Sequence, residues 1–258
     1  MLLAIDIGNT NVHTGIFVGD VLQFARSFRC EFDGVFQANF IKFLNSILPA
    51  RLKAVVLSSV NPETETLIVE CVERCFHMKP CCIGKDMPVP IPVVTDHPEK
   101  VGSDRLANAV AAFERTKGWA IIVDAGTAIT IDVIDDKGAF LGGTIAPGVA
   151  LSSKALHQYT AFLPDIFIHK PKNIIGKNTE EAISSGIYWG TVGMVENILS
   201  MLCDEINCKP AILATGGDAT MLQQEIPFIT EVIPELTLEG IMITYKIHSL
   251  PNKQLSPF

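Results

Sequence analysis

The chain has 258 residues, of which 48% are hydrophobic and 19% are charged, and its formal net charge is -8. This composition excludes a disordered protein, and the length is sufficient for two domains or for one large α/β unit. The acidic balance argues against nucleic acid as a partner. No apolar stretch reaches the roughly 20 residues of a transmembrane helix, so a membrane partner is not expected either.

Three predicted strands joined by short turns open the chain: Leu2 to Ile7, Val12 to Val18 and Val21 to Phe28. Their apolar runs and the intervening turns indicate an antiparallel meander. Helical periodicity follows over residues 36–47, and then come an apolar strand from Ala54 to Leu57 and a helix over residues 67–75. The order of elements in this part of the chain is therefore predicted to be β-β-β-α-β-α.

The loop after the first strand carries more polar chemistry than a hairpin needs. Asp6 stands near the strand end and is followed by Gly8 and by the small polar residues Asn9, Thr10 and Asn11. Gly8 permits a positive φ and close approach of a ligand, and successive amides after it can form a concavity that suits phosphate. Asp6 suits Mg²⁺ held through water. An Asx-type hairpin turn is the structural alternative.

Four cysteines and one histidine lie within a stretch of twelve residues: Cys71, Cys75, His77, Cys81 and Cys82. These are zinc ligands, but their spacing fits no common zinc finger, and we interpret them as free thiols with a metal site as the open alternative. Seven cysteines, an odd number, and no recognisable export signal argue against a disulfide framework. We therefore expect a cytoplasmic protein.

The stretch Gly102-Ser103-Asp104-Arg105 precedes an apolar helical face formed by Leu106, Ala109, Val110 and Phe113. Ser103 and Asp104 are therefore predicted at a helix start. One interpretation is an ordinary N-cap. The other is that Asp104 accepts a proton from a substrate hydroxyl while the helix N-terminus and Arg105 bind negative charge. The spacing by itself leaves both interpretations open.

The second half of the chain repeats this order of elements. A strand over residues 120–125 runs into Asp124-Ala125-Gly126-Thr127, and two strands, a helix near residues 180–205, a strand at 211–214 and a helix after Gly216-Gly217 follow. An internal repeat of about half the chain length predicts two similar domains, residues 1–117 and 118–258. We expect a cleft between them, with Asp6 and Asp124 on opposite walls.

Eight short motifs stand in the order found in a known family: Asp6-x-Gly-Asn-Thr-Asn, Gly102-x-Asp-Arg, Asp124-Ala-Gly-Thr-Ala, Gly142-Gly-x-Ile-x-Pro-Gly, Thr160-Ala-x-Leu-Pro, Gly176-Lys-Asn-Thr, Ser185-Gly and Thr215-Gly-Gly. Over nearly the whole chain this set resembles type III pantothenate kinase, a family also labelled Bvg accessory factors. The resemblance implies duplicated ribonuclease H-like, actin-like domains of the acetate and sugar kinase, heat-shock ATPase and actin superfamily.

The resemblance also implies an activity and its requirements. The expected reaction is ATP-dependent phosphorylation of pantothenate, the first step of coenzyme A biosynthesis. ATP, Mg²⁺ and a monovalent cation, K⁺ or NH₄⁺, are the implied cofactors. A homodimer with its active site near the subunit interface is the implied assembly.

Position by position, the resemblance assigns roles to individual residues. The ATP phosphate-binding segment corresponds to Asp6, Ile7, Gly8, Asn9, Thr10, Asn11, Val12 and His13, with Thr127 as a second nucleotide contact. Pantothenate binding corresponds to Gly102, Ser103, Asp104 and Arg105, with Asp104 as the proton acceptor, and to Thr179 from the neighbouring subunit. Asp124 corresponds to the monovalent cation site.

One departure from the family pattern lies just before Gly102. Family members often carry Tyr-x-Asn-Pro there, whereas this chain has Thr95-Asp96-His97-Pro98. Thr95 or His97 is a candidate to replace the tyrosine contact, and weaker affinity for pantothenate is the alternative.

Two other functions are weighed against the kinase. A sugar or acetate kinase of the same superfamily has no reason to keep the Gly102-x-Asp104-Arg105 motif. A non-enzymatic transcriptional accessory factor of the same family has no need for acids at positions 6, 104 and 124.

Overall fold

The computed structural model describes residues 1–30, 34–47 and 51–249. The chain forms two compact units. Within the described ranges, the first contains Met1–Lys117, Asp136–Leu141 and residues 235–249, and the second contains Gly118–Asp135 and Gly142–Pro234. Among the described residues, no helix is both long enough and apolar enough to cross a membrane.

The elements before residue 118 follow the predicted order. They are β1 (Leu2–Ile7), β2 (Asn11–Val18), β3 (Val21–Arg29), α1 (Gly34–Ser46), β4 (Ala54–Ser59), α2 (Pro62–Phe76), β5 (Cys81–Cys82) and α3 (Ser103–Thr116). The β-β-β-α-β-α prediction is confirmed for this half, and a short strand and a further helix extend it.

The second half repeats the series with one insertion. Its elements are β6 (Ala120–Ala125), β7 (Ala128–Ile134), β8 (Phe140–Pro147), α4 (Val149–Gln158), α5 (Thr179–Ile206), β9 (Ala211–Thr215), α6 (Ala219–Glu225), β10 (Glu231–Val232) and α7 (Leu236–Ser249). The helix α4 is additional to the predicted order. The last helix of this repeat, α7, corresponds in chain order to α3 of the first.

The two five-stranded sheets have the same strand order. One sheet runs β3-β2-β1-β4-β5 and the other runs β8-β7-β6-β9-β10. In the first sheet β1 is antiparallel to β2 and parallel to β4, and in the second β6 is antiparallel to β7 and parallel to β9. The internal duplication predicted from the sequence is confirmed by this topology.

The central strand β1 is buried along its whole length, as its uninterrupted apolar sequence predicts for a strand covered on both faces. On one face, Leu3, Ile5 and Ile7 join a core with side chains of α1 and α2. On the other, Leu2 and Ala4 pack in a cluster that includes side chains of α3 and α7. The first unit is therefore a three-layer α/β/α arrangement.

Helix α7 belongs to the first unit, whereas the predicted boundary assigns all of residues 118–258 to the second domain. A Cβ placed on Gly240 would lie 1.9 Å from the Ala107 carbonyl oxygen, so glycine permits a very close crossing of α7 and α3. The Arg115 guanidinium donates two hydrogen bonds, of 2.8 and 2.9 Å, to the Glu239 carboxylate. These contacts join residues more than 100 positions apart, which local sequence patterns do not encode.

The second unit has a core between β6, β7 and the helices α5 and α6, built from such side chains as Ile121, Val123, Ile131, Tyr188, Val195 and Leu222. The connecting segment, residues 159–178, has no helix or strand. Side-chain hydroxyls hold it in place: Ser184 donates to the His169 carbonyl at 2.9 Å, and Ser185 donates to the Ile174 carbonyl at 2.7 Å.

The thiol cluster is part of this fold. All seven cysteines lie in the described ranges and are free thiols. Within those ranges no three His, Cys, Asp or Glu side chains are grouped to hold a metal ion. Cys71 is buried in the core of the first unit. Burial and the neighbouring Glu65 carboxylate raise the pKa of the Cys82 thiol to about 11.

Candidate active site

Asp6 and Asp124 occupy equivalent places in the two sheets. Each is the fifth residue of a six-residue central strand. Asp6 lies opposite His13 on β2 and Ser58 on β4, and Asp124 lies opposite Thr130 on β7 and Thr215 on β9. The two acids that the sequence singles out are thus related by the duplication itself.

The turn after Asp6 is closed by its own backbone. The Gly8 amide donates to the Asn11 carbonyl at 2.9 Å, and the Thr10 carbonyl accepts from the Cys30 amide at 2.7 Å, which ties the turn to the end of β3. The expectation of a positive φ at Gly8 is wrong: among the described glycines, those with positive φ lie elsewhere. Glycine is favoured because a Cβ would lie 3.1 Å from the Asn11 carbonyl oxygen.

The other residues between Asp6 and His13 differ in how far they are exposed to solvent. The side chains of Ile7 and Val12 are fully buried in the core, so they can offer a ligand only their backbone. Asn9 and His13 are exposed to solvent. The polar surface of the segment is therefore carried by its turn and by His13.

The equivalent turn in the second unit is one residue shorter. Here the Gly126 amide donates to the Ala128 carbonyl at 3.0 Å, and the Thr127 carbonyl accepts from the Gly148 amide at 3.0 Å. A Cβ on Gly148 would lie 2.2 Å from the Gly126 carbonyl oxygen. The start of α4 is therefore packed directly against this turn, and the Thr127 side chain is left exposed.

Gly216 brings the end of β9 close to Asp124. Its φ is +91°, and a Cβ there would lie 2.5 Å from the Ala125 carbonyl oxygen and 2.7 Å from an oxygen of the Asp124 carboxylate. The next helix is tied to the same place, because the Asp218 amide donates to the Ala125 carbonyl at 3.0 Å. Burial raises the pKa of the Asp218 carboxyl.

The start of α3 differs from the predicted N-cap. Gly102 is the N-cap residue and Ser103 is the first helical residue, and within the described chain no side chain caps this end. The Ser103 hydroxyl oxygen instead accepts from the Ser59 amide at 2.9 Å and lies 3.1 Å from the Ser58 hydroxyl. The N-cap interpretation of Ser103 is therefore wrong.

Asp104 has a partly buried carboxylate at this helix start. Burial raises the pKa of Asp104, and the backbone amide and the charge of Arg105 oppose that rise. Oδ1 accepts a hydrogen bond of 2.8 Å from the Arg105 amide. A Cβ on Gly102 would lie 2.5 Å from the same oxygen. The lack of a side chain at Gly102 therefore creates the space that this carboxylate occupies.

The first unit brings two of the predicted motifs together. Ser58 is the register partner of Asp6 on β4 and also contacts Ser103. The helix that carries Asp104 therefore begins beside the strand pair that carries Asp6. The Arg105 guanidinium carbon lies 5.5 Å from the centre of the Phe140 ring, a distance typical of a cation-π contact.

The segment before Gly102 runs past the same phenylalanine. The Val94 amide donates to the Phe140 carbonyl at 2.8 Å, and the Phe140 amide donates to the Pro92 carbonyl at 2.9 Å. The Thr95 hydroxyl oxygen is buried without a hydrogen-bond partner among the described residues. His97 is exposed, and its ring nitrogen lies 3.5 Å from the Glu99 carboxylate.

Thr179 and Asp124 belong to the second unit. Thr179 is the exposed first residue of α5, which follows a capped start: Asn178 Oδ1 accepts from the Glu181 amide at 2.8 Å. Thr179 also lines a shallow, mostly apolar pocket with Leu156, Leu163, Ile183 and Ile187.

Ser58 and Asp218 lie at the site but are not among the site residues predicted from the sequence. Each lies at the end of the strand that pairs in parallel with an acid-bearing strand, or in the loop that follows it. Aligning the two halves residue by residue from Asp6 and Asp124 would have pointed to them, because equivalent strand ends meet at the same edge of a sheet.

The comparisons with known proteins identify the family. The family model described as type III pantothenate kinase matches residues 2–201. A type III pantothenate kinase of Anaeromyxobacter sp. (strain K) is 40% identical over 253 residues, covering 95% of this chain and 99% of the relative. One of Syntrophus aciditrophicus is 36% identical over 96% of this chain and 100% of the relative.

The chain belongs to the type III pantothenate kinase family.

Solved structures agree with the fold expected from the sequence. A Campylobacter jejuni protein described as a Baf family transcriptional activator has a TM-score of 0.62 at 20% identity, over 95% of this chain and 98% of that one. Component A of the Acidaminococcus fermentans (R)-2-hydroxyglutaryl-CoA dehydratase has a TM-score of 0.52 at 12% identity, over 93% and 94%. These likenesses confirm the predicted fold, two duplicated α/β domains.

Proposed function

We propose that this chain is a pantothenate kinase, which transfers the γ-phosphoryl group of ATP to the primary alcohol of pantothenate and so begins coenzyme A synthesis. The observation that carries the proposal is the Asp104 carboxylate at the start of α3, beside the strands that carry Asp6, in a chain whose relatives of nearly equal length are named type III pantothenate kinases.

Asp104 is the proposed proton acceptor. A carboxylate whose pKa is raised by burial is a stronger base than an exposed one. Phosphoryl transfer passes through a loose transition state, so most of the catalytic effect comes from positioning and from stabilising charge. Asp104 orients the alcohol and takes its proton, while Arg105 and the N-terminus of α3 attract the negative charge of the substrate.

ATP is proposed to bind along the segment from Asp6 to His13, with Thr127 as a second contact. The residues present fit a nucleotide with Mg²⁺: a buried carboxylate stands at a strand end, and a tight glycine turn with polar side chains follows it. When bound, Mg²⁺ neutralises charge on the phosphates. Asp6 would hold it through water.

The monovalent cation, K⁺ or NH₄⁺, is proposed to bind at Asp124. Asp124 is flanked in register by Thr130 and Thr215, so one carboxylate-bearing and two hydroxyl-bearing residues occupy neighbouring positions on adjacent strands. Oxygen ligands of this kind suit hard cations. A cation there would balance the charge of Asp124.

Thr95 is the proposed replacement for the family tyrosine. Its buried hydroxyl lacks a partner among the described residues, whereas the ring of His97 is exposed and faces Glu99. A buried hydroxyl without a partner is costly unless a ligand or water satisfies it. This favours Thr95 over His97.

A homodimer is part of the proposal, with Thr179 reaching the pantothenate site of the neighbouring subunit. The connecting segment, residues 159–178, exposes Phe162 by 94%, Phe167 by 90% and Tyr159 by 81%. Large apolar side chains that are exposed close together in one segment mark an interaction surface. The segment lies directly before Thr179, so a partner that covers it is close to that residue.

The dimer is tested by light scattering after gel filtration. The wild type should elute with twice the mass of one chain, and the double variant Phe162→Ser, Phe167→Ser should elute as a monomer with much lower activity. Val21→Ser removes an exposed apolar side chain from β3 and is the matched control. A wild-type monomer at assay concentration would contradict the dimer.

The protein is proposed to act in the cytoplasm, where ATP is available and thiols remain reduced. Its seven free cysteines accord with that compartment.

The activity is tested by coupled ADP release from the purified protein, with and without pantothenate and K⁺. We expect release that requires pantothenate and rises with K⁺. Release that ignores pantothenate but responds to a sugar would overturn the proposed function.

A further inference from the structure

The Ser103 side chain makes contacts that a helix cap does not explain. Its hydroxyl oxygen accepts from the Ser59 amide at 2.9 Å, donates to the Ser59 carbonyl at 3.1 Å and lies 3.1 Å from the Ser58 hydroxyl. All three partners lie 44 or 45 positions away, at the end of β4. A serine at a helix start ordinarily bonds to its own first turn, so this hydroxyl is used for a connection between elements.

We propose that Ser103 is a positioning residue for phosphoryl transfer: its hydroxyl fastens the start of α3 to the end of β4 and so holds the Asp104 carboxylate in register with the strand that carries Asp6. The inference rests on the proposed kinase function.

Ser103 is connected to both Asp104 and Asp6 through few intervening groups. Asp104 directly follows Ser103, so movement of the helix start moves its carboxylate equally. On the other side, Ser58 is the register partner of Asp6, and its hydroxyl contacts Ser103. One hydroxyl therefore connects the proposed base to the strand pair at which ATP is proposed to bind.

Local packing fixes the direction of the Asp104 carboxylate but not its distance from β1. Gly102 leaves space for Oδ1, and the Arg105 amide donates to it at 2.8 Å. Both groups belong to the same turn as Asp104 and move with it. The contacts of Ser103 with Ser58 and Ser59 hold that turn against β4.

The expected catalytic effect follows from the sensitivity of group transfer to geometry. Misplacing a reacting group by about 1 Å can cost about 10²-fold in rate. We therefore expect Ser103→Ala to lower kcat by about 10- to 100-fold. The KM for ATP should change by less than about twofold, because the turn after Asp6 does not depend on Ser103.

A merely structural role would give a different result. Removing the hydroxyl also leaves the Ser59 amide without its acceptor, which lowers stability. If Ser103 served stability alone, Ser103→Ala would lower the unfolding temperature while kcat per folded molecule stayed at the wild-type value. Active-site concentration must therefore be measured alongside kcat.

The experiment compares four variants with the wild type in the pantothenate-dependent ADP assay and in thermal unfolding. Ser103→Thr keeps the hydroxyl and should retain most of kcat. Ser103→Cys keeps the size with a weaker hydrogen bond and should lie between the wild type and Ser103→Ala. Ser58→Ala should lose less than Ser103→Ala, since the Ser59 backbone contacts remain.

Ser59→Ala is the matched control. It removes a hydroxyl at the neighbouring position, which among the described residues bonds only to the backbone of Asn61. The backbone groups that Ser103 uses remain. Its kcat should stay within about twofold of the wild type.

The outcomes separate this inference from the proposed function. A wild-type protein without pantothenate-dependent ADP release overturns the function. An active wild type with Ser103→Ala or Ser103→Cys at unchanged kcat overturns the positioning role, and Ser103→Cys decides the matter if the alanine variant does not fold. A fall in kcat shared equally by Ser59→Ala also overturns it.

Discussion

The ends of β1 and β6 are two copies of one arrangement that differ in what surrounds the acid. Beside Asp6 the parallel strand continues as Ser58-Ser59-Val60-Asn61, and beside Asp124 it continues as Thr215-Gly216-Gly217-Asp218. In the first copy the Ser58 hydroxyl contacts Ser103 at the start of α3. In the second copy, the lack of a side chain at Gly216 lets its backbone lie directly against the Asp124 carboxylate. The duplicated sheet thus places Asp6 and Asp124 at equivalent positions. The few residues that follow β4 and β9 give the two acids different surroundings.

The contrast extends to the last helix of each repeat. α3 begins with Asp104, whereas α7 follows Glu235 and begins with Leu236, an entirely buried apolar residue. Burial and the Glu239 charge raise the pKa of Glu235. The two helices cross at the fifth residue of each, Ala107 and Gly240. The first turn of α3 therefore carries the candidate base, whereas α7 begins with an apolar residue.

The largest expected effect tests this asymmetry. Asp104→Asn should lower kcat by about 10²- to 10⁴-fold, because an amide cannot accept the proton of the substrate alcohol. Glu235→Gln, the matched change before α7, should lower kcat by less than about threefold, since a neutral group suits its half-buried position. Steady-state kinetics and thermal unfolding of both variants measure this. Near-normal turnover of Asp104→Asn would remove Asp104 from the role.

The next prediction compares the two acids themselves. Asp6→Asn should raise the KM for ATP and the Mg²⁺ requirement, because the proposed metal contact loses its charge. Asp124→Asn should instead weaken the activation by K⁺. Titrating ATP, Mg²⁺ and K⁺ separately in both variants distinguishes the two positions. Identical responses of the two variants would mean that the equivalent acids share one function.

A smaller effect, on stability, is expected from substituting the glycines that lie beside Asp124 and Asp104. Gly216→Ala should destabilise the fold by about 1–3 kcal/mol, because its positive φ and the nearby Ala125 carbonyl leave no room for a side chain. Gly102→Ala meets the tip of the Asp104 side chain, which can rotate away. It should lower kcat with little change in unfolding temperature. Equal loss of stability in the two variants would contradict the distinction.

The smallest predicted effect concerns the helix caps at equivalent positions. Asn61 accepts from the Thr64 amide at 3.1 Å and caps α2, whereas Asp218 makes no side-chain cap of α6 in the described chain. Asn61→Ala should therefore cost about 1 kcal/mol of stability, and Asp218→Ala should cost less than half of that. Chemical denaturation measures both. A larger loss for Asp218→Ala would show that its carboxylate has a structural partner.

Much of the fold could be predicted because it is encoded locally. The strands β1 and β6 are continuous apolar runs that end in Asp-x-Gly, and the helices α3 and α5 show their apolar faces directly in the sequence. The repeat and the two acids followed from the same patterns. The insertion of α4 was not predicted, because its short sequence has a mixed polar and apolar surface.

The details of the candidate site depended on residues far apart in the chain. A positive φ at Gly8 was a reasonable expectation for a glycine in a polar turn, but the carbonyl of Asn11 sets a different constraint. Local preference predicts Ser103 as a cap because serine favours helix starts, whereas the Ser59 amide, 44 positions earlier, is its partner. The preference of serine for capping its own helix is outweighed here by the free-energy cost of leaving a buried backbone amide without an acceptor.

The sequence by itself determined the class of fold, the duplication, the family and the set of acids, since periodicity, turn residues and ordered motifs are properties of short stretches. Tertiary structure decided that α7 joins the first unit, that Ser103 connects α3 to β4, and that Gly216 closes over Asp124. The physical reason is that these choices depend on steric fit and hydrogen-bond satisfaction between segments that meet only after the chain has folded.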